Sequence, residues 1–311
     1  MILVTAALSI IGRETIFELN RRGERCRVLI PRVEKQEELE TFFAHKQMDR
    51  GLIEFAIGDL GVAQSLPAAV DGVDAIALIY PALDFEVSQL EGLAAAVAST
   101  CADQPLRHIV HLSAIGADVD APTRLGRLMG RAEHCVAGIG MPFTHVRPHM
   151  FLLMQNVRSF AAEIQRDRVL RLPLGHARTS WIDARDIARV IAALIVKPGN
   201  NDGVTLTGPE ALTGQDIADM IGLAAGYSVT FEDLPPEKAH GRLLSNGMQS
   251  WLVADSLTMF EAFRAGVAAG VSPMVEQLTG SRGTRFNDFA FEYAWAFRQG
   301  EDAGQLSGWL N

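Results

Sequence analysis

Long apolar runs are missing from this 311-residue chain. No stretch approaches the roughly 18 uninterrupted apolar residues that a membrane-spanning helix needs, so no membrane partner is expected. A surplus of positive charge is missing too. The formal net charge is -9, which argues against a nucleic-acid surface, because displacing phosphate counterions takes clustered Lys and Arg. The one basic run, "RRGERCR", is interrupted by Glu24 and reads as a helix end entering a strand. Cysteines that could pair are lacking. Cys26, Cys101 and Cys135 are odd in number, have no metal-like spacing and sit in apolar segments, as free thiols of a reducing, cytoplasmic compartment would. His108, His111, His134 and His145 share no ligand spacing, so no metal is expected. A secretion signal is not expected at the start either. No basic segment precedes the first apolar run, no small-residue cleavage site follows it, and "RETIFELNRRG" continues as an amphipathic helix.

What is present is alternation. With 48% hydrophobic residues the chain can bury a full core. The runs "ILVT", "CRVLI", "IEFAI", "DAIALIY", "RHIVHLS" and "FTHVRP" read as strands, and segments such as "SQLEGLAAAVASTCA" and "LGRLMGRAEHCVAGIG" carry helical spacing. Near-continuous apolar strands separated by helices predict a parallel sheet covered on both faces. Right-handed crossovers then make it a doubly wound α/β sheet, with ligands at the strand ends. After about residue 200 the texture becomes largely helical. We therefore expect a main domain over 1–200, including a crevice-lining segment at 149–180, and a smaller, mainly helical lobe over 201–311.

One further lack is local. "VTAALSIIGRE" has the rhythm of a strand entering a helix through a phosphate-binding turn, but of the usual three glycines it keeps only Gly12. The ordered set "VTAALSIIGRE", "FAIGDL", "GVDAIALIYP", "HIVHLSAIGAD", "AEHCVAGIGMPFTHVRPHMFLLMQN", "WIDARDIARV" and "TLTGPEALTGQDIA" nevertheless resembles the NmrA-like group of atypical short-chain dehydrogenase/reductases along nearly the whole chain. The resemblance implies a Rossmann-like domain that binds NAD(P) and a small substrate-binding lobe. That group includes NADPH-dependent reductases of small organic molecules, and regulators that bind dinucleotide without turning it over.

The departures from the group are informative. Its first turn, of the form G-A-T-G-x-I-G, falls on Ala6 to Gly12, so Ala6 and Ser9 replace the glycines that permit the tight turn and the approach of pyrophosphate. Leu8 and Ile10 make the turn apolar and are expected to point inward and close part of the groove. After the second strand, Pro31 stands where NADPH-dependent relatives place Arg, and Arg32 is one position on. Gly12, Ser9, Arg32 and Asp59 are the cofactor-binding candidates if NADP or NAD binds; the "GDL" turn carrying Asp59 also has an ordinary structural reading.

Short-chain dehydrogenases usually donate a proton from a Tyr spaced four residues from a Lys. Here the helix "TRLGRLMGRAEHCV" has Met129 where relatives often have His or Tyr, and Arg131 and Glu133 do not substitute simply. The catalytic candidates are instead His149, in "VRPHMF", where relatives often have Asn; Tyr80, at the end of "DAIALIY"; and Ser113, at the end of "HIVHLS". A His at a strand end exchanges protons near neutral pH. Met129, Phe151 and Asn156 are assigned to the substrate pocket. Asp84 and Glu86 are possible orienting acids, and Asp183 and Asp186 read as helix caps. Met150 and Met154 read as core, as does the aromatic stripe Trp251, Phe260 and Phe263.

With two phosphate glycines lost and a titratable residue gained, the sequence reading favours a cofactor-free enzyme that performs non-redox acid/base chemistry on a small, largely apolar molecule. Isomerisation, dehydration or cyclisation would fit. Two alternatives stay open: an NAD(P)H-dependent oxidoreductase with an atypical phosphate loop, and a non-catalytic dinucleotide sensor or partner-binding regulator.

Overall fold

A computed structural model describes residues 1–80, 87–101, 104–149, 161–245 and 247–298. Seven strands form one parallel sheet in the order β3-β2-β1-β4-β5-β6-β8. They are β1 (Ile2–Val4), β2 (Cys26–Ile30), β3 (Ile53–Ile57), β4 (Ala75–Leu78), β5 (His108–Leu112), β6 (Phe143–Pro148) and β8 (Asp202–Leu206). Strand residues alternate between two buried layers, as the pleat requires. Ile2 and Val4 of β1 and Ala75 and Ala77 of β4 face one cluster, while Leu3, Ile76 and Leu78 face the other. Both faces being buried explains why the strands read as continuous apolar runs.

The first layer holds α1 (Ile10–Arg21), α2 (Gln36–His45) and α7 (Ala184–Ile195). The second holds α3 (Leu66–Val70), α4 (Ser88–Thr100) and α5 (Arg124–Gly138). The strand order reverses between β1 and β4, which places the ligand crevice of a doubly wound sheet above their C-terminal ends. Thr5 fastens the two strands together there. Its hydroxyl donates to the Ile79 carbonyl at 2.6 Å and accepts from the Ile79 amide at 2.8 Å.

The C-terminal region is mainly helical. It contains α8 (Gly214–Ala225), α9 (Pro236–Ser245), α10 (Ser250–Arg264), α11 (Met274–Thr279), α12 (Phe286–Glu292) and α13 (Ala294–Phe297). The regions interleave in sequence. β8 begins at Asp202 yet pairs with β6 in the main sheet. Before residue 200, the helix α6 (161–167) leads into β7 (Val169–Leu172), which pairs with β9 (Thr230–Asp233) in a separate two-stranded sheet. Among the described residues no helix is long and apolar enough to cross a membrane.

Candidate functional site

The turn between β1 and α1 keeps its shape without its glycines. Ala6 takes up a left-handed backbone conformation, with φ of 47°, at a cost of roughly 1–2 kcal/mol for an L-residue. The Ser9 amide then closes the turn on the Ala6 carbonyl at 2.9 Å. Ser9 is the N-cap of α1, and its hydroxyl accepts from the Gly12 amide at 3.0 Å. Gly12 cannot be replaced in the same way, because a Cβ there would lie 2.2 Å from the Ala6 carbonyl oxygen. Leu8 and Ile10 are half-buried and pack against the core.

This turn fits a dinucleotide pyrophosphate. The helix enters as closely as Gly12 allows, the Ser9 hydroxyl is held back at the cap, and the amides of Ile10 and Ile11 have no intrahelical acceptor. The helix dipole favours an anion at the same point. Next to it, Arg32 is exposed just beyond β2 in extended backbone conformation. The Asp59 carboxylate is turned into its own loop, where it accepts from the Gly61 amide at 2.8 Å.

Tyr80 and Ser113 are held beneath α5. The Tyr80 hydroxyl lies 2.6 Å from Nε2 of His111, whose Nδ1 lies 2.9 Å from Nδ1 of His145. Parallel register sets His111 directly beside His145 on adjacent strands. Burial raises the Tyr80 phenol well above its usual value, aided by Cys135 and Glu133. Burial, the His145 ring and Arg147 together hold His111 well below the usual histidine range, and burial also lowers His145.

Ser113 donates to Glu133 at 2.6 Å, and Arg147 grips the same carboxylate with two hydrogen bonds, at 2.7 and 2.6 Å. Burial alone would raise the Glu133 carboxyl, but the bonds from Arg147 and Ser113 outweigh it and hold it low. Met129 is packed into the core cluster with Ile109, Ala132 and Val136.

His149 is held from the opposite side, by the C-terminal region. It is buried just beyond β6, its amide donates to the Leu206 carbonyl at 2.7 Å, and its Nδ1 lies 3.4 Å from the Ser180 hydroxyl. The ring sits 6.3 Å from that of Phe263 on α10. Burial lowers its basicity, partly offset by a hydrogen bond to the Ser180 backbone. The sequence reading had not singled out Ser180; an uncapped Ser preceding "WIDARD" gives little signal.

α10 bridges the two parts of the molecule. Both oxygens of Asp255 accept from the first amides of α5, Arg124 at 2.9 Å and Leu125 at 2.6 Å, and the Arg124 guanidinium lies over the Trp251 ring at 4.6 Å. Asp183 caps α7, and Asp186 in its first turn bonds the Thr284 amide at 2.6 Å. The expectations for Asp84, Glu86, Met150, Phe151, Met154 and Asn156 fall outside the described residues.

The NmrA-like family model matches residues 1–286. The NAD(P)H azoreductase of Xenophilus azovorans is 32% identical over 298 residues, 96% of this chain and 99% of that protein. A (4-alkanoyl-5-oxo-2,5-dihydrofuran-3-yl)methyl phosphate reductase of Streptomyces griseus is 32% identical over 300 residues, 96% of this chain and 99% of its own length. The crystal structure of an NADPH-dependent quinone oxidoreductase of Escherichia coli with NADPH superposes with a TM-score of 0.80 at 19% identity, over 94% of this chain and 99% of that one. That likeness concerns the fold.

Two expectations are thereby corrected. Non-redox acid/base chemistry is contradicted by whole-length relatives that are reductases, and the absence of a cofactor by the NAD(P)H of the azoreductase. The physical error lay in equating lost glycines with a lost turn; Ala6 adopts the backbone angle that glycine would have supplied. These relatives mark the chain as an enzyme, and not of the lyase or isomerase type. The chain belongs to the NmrA-like family.

Proposed function

We propose that this protein is an NAD(P)H-dependent reductase of small conjugated organic molecules. The observation that carries the reading is the left-handed Ala6, which rebuilds the pyrophosphate turn on a sequence that had discarded its glycines. A bound dinucleotide would supply hydride. The residues that would hold and orient it are the α1 amides at Ile10 and Ile11, Gly12, which allows the close approach, and the end of β2.

Arg32 supports a preference for the phosphorylated dinucleotide. A carboxylate at the end of β2 would bond a ribose 2′-hydroxyl and repel a 2′-phosphate; here Pro31 and an exposed Arg32 take that place. Phe263 of α10, packed on the His149 ring at 6.3 Å and edge to face with Phe260 at 6.1 Å, gives the end of β6 an aromatic surrounding that suits a flat, apolar acceptor.

The test is steady-state oxidation of NADPH and of NADH with an azo dye or a quinone as acceptor. NADPH should be favoured by at least about tenfold in kcat/KM, roughly 1.4 kcal/mol, and Arg32→Ala should remove most of that preference. Absence of acceptor-dependent oxidation with either dinucleotide would defeat the reading.

A further inference from the structure

We propose that His149, held through Nδ1 by Ser180, is the proton donor to the reduced substrate, an inference that rests on the reductase reading above. Reduction by hydride leaves many acceptors as anions, so a proton must arrive as well. The usual donor helix does not provide one. Met129 has no exchangeable proton, and Glu133, four residues on, is bonded by Arg147 and Ser113. The Tyr80 phenol is engaged by a buried imidazole. His149 instead lies just beyond a strand end, its ring 6.3 Å from that of Phe263 on α10.

Ser180 determines which nitrogen can act. Its amide and its hydroxyl both donate to the Ala268 carbonyl, at 3.0 and 3.2 Å. The hydroxyl proton is therefore occupied, and the oxygen turns a lone pair toward Nδ1 of His149. That contact keeps a proton on Nδ1 in either charge state, so Nε2 carries a proton only in the imidazolium. Among the described residues of α10, Glu261 is exposed and Asp255 accepts from the first amides of α5. Arg264 of α10 is bonded to Asp233 at 2.7 Å, and Asp183, beyond Ser180, to Arg185 at 2.6 Å.

The step balances as follows. With the reduced dinucleotide bound, the acceptor would gain a hydride, and with it two electrons, and the dinucleotide would be oxidised. The anionic nitrogen or oxygen of the adduct then takes the Nε2 proton; the imidazolium N–H bond breaks and a substrate N–H or O–H bond forms. His149 is left neutral, with Nδ1–H still on Ser180, and regains its Nε2 proton from water. This chemistry favours neutral acceptors whose hydride adducts are anions, such as azo compounds, quinones and enones. A triarylmethyl cation is neutralised by hydride alone and needs no proton.

That contrast gives the experiment. With NADPH as reductant, rates are measured for an azo dye and for a cationic triarylmethane dye, in wild type and in His149→Asn. The azo-to-cation rate ratio should fall at least about tenfold in the variant. The wild-type azo rate should decline as pH rises through the titration of His149, and the variant should lose that decline. In the cofactor-free protein, imidazole ¹⁵N NMR should find neutral His149 as the Nδ1–H tautomer, and Ser180→Ala should shift it toward Nε2–H. An unchanged ratio, or an Nε2–H ring in wild type, overturns the proposal while leaving the reductase reading intact. If wild type oxidises NADPH with neither dye, the reductase reading fails and this inference fails with it.

Discussion

Two regions of the molecule have lost their family's signature residues, with opposite consequences. In the turn over residues 5–12 the missing glycines were needed for backbone geometry, and the geometry survives with Ala6 left-handed and Ser9 as a cap. Beneath α5 the missing Tyr and Lys were needed for their own side-chain atoms. Met129 and Glu133 are buried there, one among apolar neighbours and the other bonded by Arg147. A backbone role can pass to another residue for about 1–2 kcal/mol of conformational strain, whereas the proton a phenol carries cannot come from a thioether. The turn thus keeps its shape under a changed sequence, while the α5 positions are taken up by packing and by the Arg147–Glu133 pair.

The comparison can be broken most severely at Gly12. Gly12→Ala forces a Cβ against the Ala6 carbonyl, where only backbone could yield. We expect a loss of about 2–3 kcal/mol in denaturant unfolding, in the range for overpacked sites, and loss of NADPH binding. Wild-type stability in this variant would mean that the turn relaxes easily.

Next in size is Glu133→Ala, which leaves Ser113 and Arg147 without their shared acceptor. Arg147 is partly exposed, so water recovers some of the cost. About 2 kcal/mol of destabilisation is expected, below the full penalty for breaking a buried pair. A change under about 0.5 kcal/mol would deny the α5 layer its structural role.

A pH effect of comparable or smaller size should come from His111 and His145. Both are held below their usual range in the folded state, so unfolding takes up protons once the pH falls beneath the ordinary histidine value. Stability is present above about pH 6.5 and is lost as the solution is acidified, at up to about 1.4 kcal/mol per pH unit for each ring. Melting temperatures from about pH 7 to about pH 5.5 check this, and replacing both histidines with Phe should reduce the slope, with His108 and His149, also lowered by burial, keeping their share. A wild-type profile that is already flat would count against the buried pair.

The smallest expected effect is the most specific to the turn. Ala6→Gly removes the left-handed strain but frees the unfolded chain, and the net gain should be less than about 1 kcal/mol. Binding of NADPH should be retained. Destabilisation by more than about 1 kcal/mol would show that Ala6 carries no strain to relieve.

Six of the seven sheet strands were legible as apolar runs bounded by helical spacing. β8 was not: Asp202 and Thr205 are exposed, and "DGVTL" lacks a continuous apolar signal. The partnership of Tyr80, His111 and His145 joins positions more than 30 apart in sequence and exists only through the register of parallel strands. Ser9 carried a usable signal that was read the wrong way. A Ser directly before an apolar helix is a good N-cap, whereas the sequence reading takes it as an absent glycine and a cofactor contact. Backbone angles have no letter of their own in a sequence, so Ala6 could not announce its φ.

The central claim is that a turn without its first two glycines still holds a dinucleotide. Calorimetric titration of the purified protein with NADPH tests it directly. One site with a Kd on the order of 10 µM or tighter, about -7 kcal/mol, is expected. No measurable heat or saturation up to about 1 mM NADPH, weaker than about -4 kcal/mol, would contradict it.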